Sequence, residues 1–241
     1  MDKVIEINNL SKVYKNGRGI TNINLEINRG EIFGFLGPNG AGKTTAMKIM
    51  TGLIKPDSGD VKLLGYSVLE DFEKAMSKVG CIIETAESYS YLTAYENLKQ
   101  FSRYYKNVDD DRIEEVLELT GISKFKNEKT RKFSLGMKQR LGISAAIISR
   151  PEIVILDEPL NGLDVEGMID IRNLIKNLAE KEKTTFFISS HLIHDVELTC
   201  NKIGVLYNGR ILNVDTTKNI LNDYASLENY FISEVERNGR I

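Results

Sequence analysis

Glu31–Met50 reads EIFGFLGPNGAGKTTAMKIM, and this stretch decides the fold. Ile32, Phe33, Phe35 and Leu36 form a short apolar strand. It runs into a glycine-rich turn and then into a helix opening near Lys43. Gly37-x-x-x-x-Gly42-Lys43-Thr44 has the spacing of a phosphate-cradling loop. Glycines let backbone N–H groups converge on phosphate oxygens, because no Cβ blocks a close approach or an unusual dihedral. The helix that follows aims its positive end at the same anion. In this pattern Lys43 reaches the β- and γ-phosphates and the Thr44 hydroxyl sits on Mg²⁺.

Outward from this loop, composition narrows the classes. The chain has 241 residues, 41% of them hydrophobic, and a formal net charge of −2. Such a balance gives no electrostatic footprint for nucleic acid, and Lys and Arg are spread along the chain. Cys81 and Cys200 are far apart with no metal-ligand spacing, which fits buried or free thiols in a reducing compartment. The opening MDKVIEINNL lacks the basic and apolar regions of a signal peptide. No apolar run approaches the roughly 18–20 residues of a membrane helix. The expectation is a soluble, cytoplasmic protein that reaches any membrane through a partner.

On the N-terminal side, Ile23, Leu25 and Ile27 alternate with polar residues, which predicts a half-buried antiparallel strand after a turn at Gly17–Gly19. Tyr14 closes the preceding segment. It is either an ordinary strand-edge tyrosine or a face for an adenine ring. On the C-terminal side, Gly52–Gly59 breaks the chain, Asp60–Leu64 and Val79–Ile83 read as strands, and the second ends at Glu84. Residues 88–150 change character. Ile113, Val116, Leu117 and Thr120 recur at helical spacing, and helices are predicted over Ala94–Lys106 and Leu135–Ser149. This is read as a helical subdomain inserted into a β-rich core.

Residues 151–158, PEIVILDE, form a second diagnostic stretch. Four consecutive apolar residues predict a strand buried on both faces of a parallel sheet. It ends in Asp157, placed to hold Mg²⁺, and Glu158, placed to polarise an attacking water. Ile169, Ile171, Leu174, Ile175 and Leu178 predict the buried face of a helix. Thr184–Ser189 predicts another buried strand, leading to His191 at the edge where ligands collect in open α/β sheets. Asn208-Gly209 predicts a hairpin turn within 202–215, and the tail over 219–241 reads as helical, then frayed.

These motifs, in this order, resemble the nucleotide-binding subunit of an ATP-binding cassette (ABC) transporter over nearly the whole chain. The resemblance implies one nucleotide-binding domain over 1–241, an α/β fold with a RecA-like parallel sheet, an antiparallel β subdomain and the helical insertion. Gly37, Pro38, Asn39, Gly40, Ala41, Gly42, Lys43, Thr44 and Thr45 are the Walker A, with Tyr14 as the adenine-stacking aromatic. Asp157 and Glu158 close the Walker B. Phe133-Ser134-Leu135-Gly136-Met137 is similar to the signature, Asn161–Asp164 to the D-loop, and His191 to the switch histidine. The implied ligands are ATP and Mg²⁺, the metal held by Thr44, Asp157 and Glu84. The implied catalytic residues are Glu158, His191 and Lys43.

The implied mechanism pairs two copies head to tail, with Ser134, Leu135 and Gly136 of one copy completing the other's site and Asp164 making contacts across the dimer. The implied partners are membrane permease subunits at the inner face of the membrane. Three departures stand out. Leu135 and Met137 replace a glycine and a glutamine of the signature, Leu160 stands where threonine is frequent, and Glu84 replaces the Q-loop glutamine. An ionised glutamate only accepts hydrogen bonds, and it adds charge beside the phosphates. That glutamate, with Ile82-Ile83 before it and Leu92–Leu98 beyond, resembles the subgroup that expels lantibiotics and bacitracin-type antibiotics. The alternatives are a small-molecule multidrug exporter subunit, a non-transport ABC ATPase, and a regulatory module without hydrolysis. Coiled-coil heptads, a second cassette and a basic stripe would favour the second of these, and the sequence shows none.

Overall fold

The computed structural model describes residues 2–85 and 87–238. The chain opens with an antiparallel pair, β1 (Lys3–Val13) and β2 (Gly19–Asn28), as the alternation predicts. The uninterrupted apolar run follows as β3 (Ile32–Leu36), and α1 (Lys43–Met50) leaves the glycine-rich loop. β4 (Ser58–Leu63) and the two-residue β5 (Tyr66–Ser67) lead to a single-turn α2 (Phe72–Met76) and to β6 (Val79–Ile82). Three helices interrupt the strands: α3 (Ala94–Ser102), α4 (Asp110–Leu119) and α5 (Leu135–Ile147). Strands resume with β7 (Ile153–Asp157), followed by α6 (Val165–Lys181), β8 (Thr185–Ser190) and α7 (Ile193–Thr199). A hairpin of β9 (Lys202–Tyr207) and β10 (Arg210–Thr216) turns at Asn208-Gly209, and α8 (Thr217–Asp223) and α9 (Leu227–Asn238) close the described chain. Residues 239–241 of the expected tail lie outside the described residues.

Two sheets result. One is antiparallel, in the order β2-β1-β4-β5. The other runs β10-β9-β3-β8-β7-β6, parallel from β9 to β6 with β10 antiparallel at one edge. The apolar runs of β3, β7 and β8 lie in its middle, buried on both faces. Side chains alternate between faces at every residue of a strand. Phe33, Phe35, Ile155 and Phe187 therefore pack toward the antiparallel sheet and α1. Ile32, Leu36, Val154, Leu156, Phe186 and Ile188 pack under α3, α4, α5, α6 and α7.

Several predicted bounds move. The helix expected to reach Lys106 ends at Ser102, and the one expected to reach Ser149 ends at Ile147. Ile169, assigned to the buried face of α6, is 44% exposed, while Ile171, Leu174, Ile175 and Leu178 are buried as expected. Four of the helix starts follow their sequence signals. Thr93 and Glu96 form a reciprocal capping box on α3, and Asp109, Ser134 and Asp164 each accept a backbone N–H at N3 of α4, α5 and α6. α7 seats directly on Gly34, where a Cβ would lie 2.6 Å from Val196 Cγ1 and 2.9 Å from Cys200 Sγ. Both cysteines are free thiols; Cys81 is exposed, while Cys200 is buried and its thiol is pushed up to about 12 by that burial. Among the described residues no helix is long and apolar enough to cross a membrane.

Candidate functional site

The carboxyl ends of β3, β7 and β8 converge on the loop between β3 and α1. Gly37 lies against β9, where a Cβ would come within 2.4 Å of the Leu206 carbonyl oxygen. The Gly209 N–H donates to Ala41 O at 3.0 Å, so the β9–β10 turn braces the loop from outside. Gly40 (φ +83) and Gly42 (φ +111) take backbone angles that side chains disfavour. A Cβ at Gly40 would enter open cleft, whereas one at Gly42 would lie 2.5 Å from Ile20 Cγ2. Gly42 is also the residue from which α1 starts.

Lys43 is almost fully buried, and its Nζ donates to Gly37 O at 2.7 Å and to Pro38 O at 3.3 Å. The same ammonium lies 3.5 Å from Glu158 Oε1. Thr44 Oγ1 donates to Asp157 Oδ2 at 2.9 Å. Ser189 Oγ donates to the other oxygen of Asp157 at 2.5 Å and accepts from the Glu158 N–H at 3.0 Å. Glu158 Oε2 lies 2.9 Å from His191 Nδ1. An ionised carboxylate only accepts, so Nδ1 carries the proton of that bond. Glu158 sits at φ +49, a left-handed turn immediately after the buried strand that aims its carboxylate between Lys43 and His191.

Gly42, Lys43, Thr44, Asp157 and Glu158 line an open cleft of about 470 Å³, with Ser189 and His191 bonded to its carboxylates from behind the lining. Tyr14, 40% exposed, stands at its rim with Asn16 and Arg18, and Asn39, Gly40, Thr45 and Glu84 complete the wall. Glu84 also has a positive φ, +66, and its Oε1 accepts from Lys48 Nζ at 2.7 Å. Gly40 and Gly42 leave a cradle bare of side chains, beside a buried ammonium. That fits a polyphosphate. Thr44 and Asp157 supply hard oxygen donors of the kind magnesium takes. Among the described residues no group of three or more His, Cys, Asp or Glu could hold a metal ion.

Ser134, Gly136 and Asp164 are not brought into this cleft. Ser134 caps α5, its Oγ accepting from the Met137 N–H at 3.2 Å, and Asp164 caps α6, accepting from Gly167 N–H at 2.9 Å. The first turn of α5 leans on the D-loop instead: a Cβ at Gly162 would lie 2.4 Å from Leu135 Cδ2, and one at Gly136 3.1 Å from Gly162 O. Leu135 itself is 66% exposed. Met137, which stands in place of a glutamine, packs against the core.

The structure also adds residues that sequence reasoning missed. Ser189 fixes Asp157; its only signal was its place at the end of TTFFIS. Lys48 holds Glu84; its signal was the four-residue step from Thr44 along one helix face. Arg140 of α5 donates to Thr120 O at 2.6 Å and reaches Asp170 of α6 at 3.2 Å, joining three helices.

Comparison with known proteins gives the family. The ABC transporter family profile matches residues 20–161, more than half of the chain. The chain belongs to the ABC transporter family. As an ABC ATP-binding cassette it is an ATPase. It is 46% identical over 212 residues to the bacitracin transport ATP-binding protein BcrA of Enterococcus faecalis, covering 88% of this chain and 69% of that protein. It is 38% identical to the lantibiotic transport ATP-binding protein SrtF of Streptococcus pyogenes, covering 87% and 89% respectively. Its fold is similar to the dimeric, post-hydrolysis ATP-binding cassette MJ0796 bound to ADP and Pi, with a TM-score of 0.80 and 27% identity over 88% of this chain and 98% of the other.

Proposed function

We propose that this ABC ATPase powers the export of a lantibiotic or related peptide antibiotic through a separate membrane permease, at whose inner face it sits. The observation that carries the substrate class is Glu84: a carboxylate, not an amide, lines the cleft beside Thr44 and Asp157. The bacitracin and lantibiotic transport relatives support the same class.

In this reading the glycine loop and the α1 N-terminus hold the triphosphate, and Tyr14 stacks on the adenine. Lys43 turns from its own loop carbonyls to the phosphates and offsets their charge. Thr44 and Asp157 hold Mg²⁺, with Glu84 beside them; the ion neutralises charge on the phosphate oxygens when bound. Glu158 accepts the proton of an attacking water, and His191 orients Glu158 and stabilises charge on the γ-phosphate. Ser134, Leu135 and Gly136 complete the site of a second copy. Ser134 and Leu135 are exposed and none of the three lines this chain's own cleft, which supports that assignment, and the dimeric cassette among the structural relatives supports the pairing.

The test uses cells carrying the subunit with its native permease, against cells lacking the subunit. Growth inhibition is measured for nisin-like lantibiotics, bacitracin and small hydrophobic drugs. Selective sensitisation to the peptides, restored by the wild type and not by Lys43→Ala, is expected. Sensitisation to small drugs alone would move the assignment to a multidrug exporter. In the same assay Glu84→Gln is expected to change protection more than it changes ATP affinity. Equal protection by both versions would remove Glu84 as a specialisation.

A further inference from the structure

Lys48 lies four residues after Thr44 on α1, so the two side chains share one face of the helix. That face meets the ends of two adjacent parallel strands, β7 ending in Asp157 and β6 leading into Glu84. Thr44 bonds Asp157 at 2.9 Å, and one turn on Lys48 bonds Glu84 at 2.7 Å. Asp157 is held from a second side by Ser189. Carboxylates beside metals are oriented by such second hydrogen bonds, and losing one weakens the site. Lys48 stands to Glu84 as Ser189 stands to Asp157. Among the described residues only one oxygen of Glu84, Oε1, has a partner, which leaves Oε2 for another.

The backbone gives a second reason for a tether. Glu84 sits at φ +66, a region that disfavours side chains, and Thr85 N–H closes a tight turn on Ile83 O at 3.0 Å. Glutamate has no intrinsic preference for that conformation, so something outside the turn must hold it. The Lys48 ammonium is the group in contact.

We propose that Lys48 is a positioning residue that fixes the Glu84 carboxylate, and with it the loop after β6, against the phosphate-loop helix. It also balances the negative charge that a glutamate brings to a place where a glutamine is usual. The consequence for metal rests on the reading of Glu84 as a magnesium-side carboxylate; the tether does not.

The test uses the whole chain and three variants: Lys48→Met, Lys48→Arg, and the exchanged pair Lys48→Glu with Glu84→Lys. Amide hydrogen exchange at Thr85 and its neighbours is read without metal, and ATP hydrolysis is titrated with Mg²⁺. Lys48→Met is expected to speed exchange about two- to fivefold, the ratio a solvent-accessible ion pair supplies. It should also raise the Mg²⁺ concentration for half-maximal hydrolysis, with a smaller change in kcat. Lys48→Arg should restore both. The exchanged pair should restore the exchange rate and leave the Mg²⁺ titration displaced. Unchanged exchange in Lys48→Met, or no restoration by Arg and by the exchanged pair, overturns the tether. Faster exchange with an unmoved Mg²⁺ titration keeps the tether and removes Glu84 from the metal.

Discussion

Glu158→Gln is expected to lower the hydrolysis rate about one hundred- to ten-thousandfold, the range that loss of a positioned base produces. The substitution is nearly isosteric. The amide oxygen of glutamine still accepts from His191 Nδ1, which lies 2.9 Å from Glu158 Oε2, and the backbone bond to Ser189 Oγ at 3.0 Å is untouched. What disappears is the negative charge 3.5 Å from Lys43 Nζ. Lys43 loses an internal competitor for its ammonium, and the cleft loses a carboxylate that repels a γ-phosphate. ATP affinity should therefore stay or rise while hydrolysis falls. With ATP bound and not consumed, two copies are expected to accumulate as a stable dimer. Size-exclusion chromatography with light scattering, with and without saturating ATP, reads the mass directly. A variant that remains monomeric under saturating ATP removes the shared-site mechanism. A variant that hydrolyses at the wild-type rate removes Glu158 as the base.

The sequence made the core legible because the core is simple. β3 and β7 are apolar at nearly every position and β8 carries the run Phe186-Phe187-Ile188, and only the middle of a parallel sheet buries both faces. The Asn208-Gly209 turn marked the β9–β10 hairpin, and the glycine loop marked α1. The missed elements are short. β5 has two residues, α2 five and α7 seven, too few to show a period. α7 is held by contacts remote in sequence, Val196 and Cys200 against Gly34, which no local pattern records. Ile169 was misplaced because four neighbours at helical spacing make a fifth look buried, although the stripe that meets the sheet is narrower.

The site divides in the same way. Each motif of the cleft announced itself by residue type and spacing, because phosphate chemistry demands those types. The residues that hold the motifs did not. Ser189, Lys48 and Arg140 act through partners 32, 36 and 20 or 30 positions away. A serine, a lysine and an arginine are ordinary surface residues until those partners are known.

Gly80→Ala should be strongly destabilising for a single methyl. A Cβ at Gly80 would lie 1.8 Å from the Ala146 carbonyl oxygen and 2.8 Å from its carbon. Both atoms belong to the backbone of α5, so no rotamer relieves the clash. Either α5 lifts from β6 or the edge strand moves. Overpacking of this kind costs about 3 kcal/mol, and for a chain of this size that lowers Tm by roughly 6–12 °C. The functional loss should exceed what stability explains, because Ser134 caps α5 and β6 leads into Glu84. Lifting the helix moves the signature turn away from Gly162, on which Leu135 rests. Thermal unfolding followed by circular dichroism gives the first quantity, and ATP hydrolysis well below Tm gives the second. Adding Ala146→Gly should not rescue either. That change removes a methyl, while the obstacle is the carbonyl oxygen, and a glycine inside α5 costs about a further 1 kcal/mol. Rescue by Ala146→Gly would mean that side chains, and not the two backbones, set the distance between helix and strand.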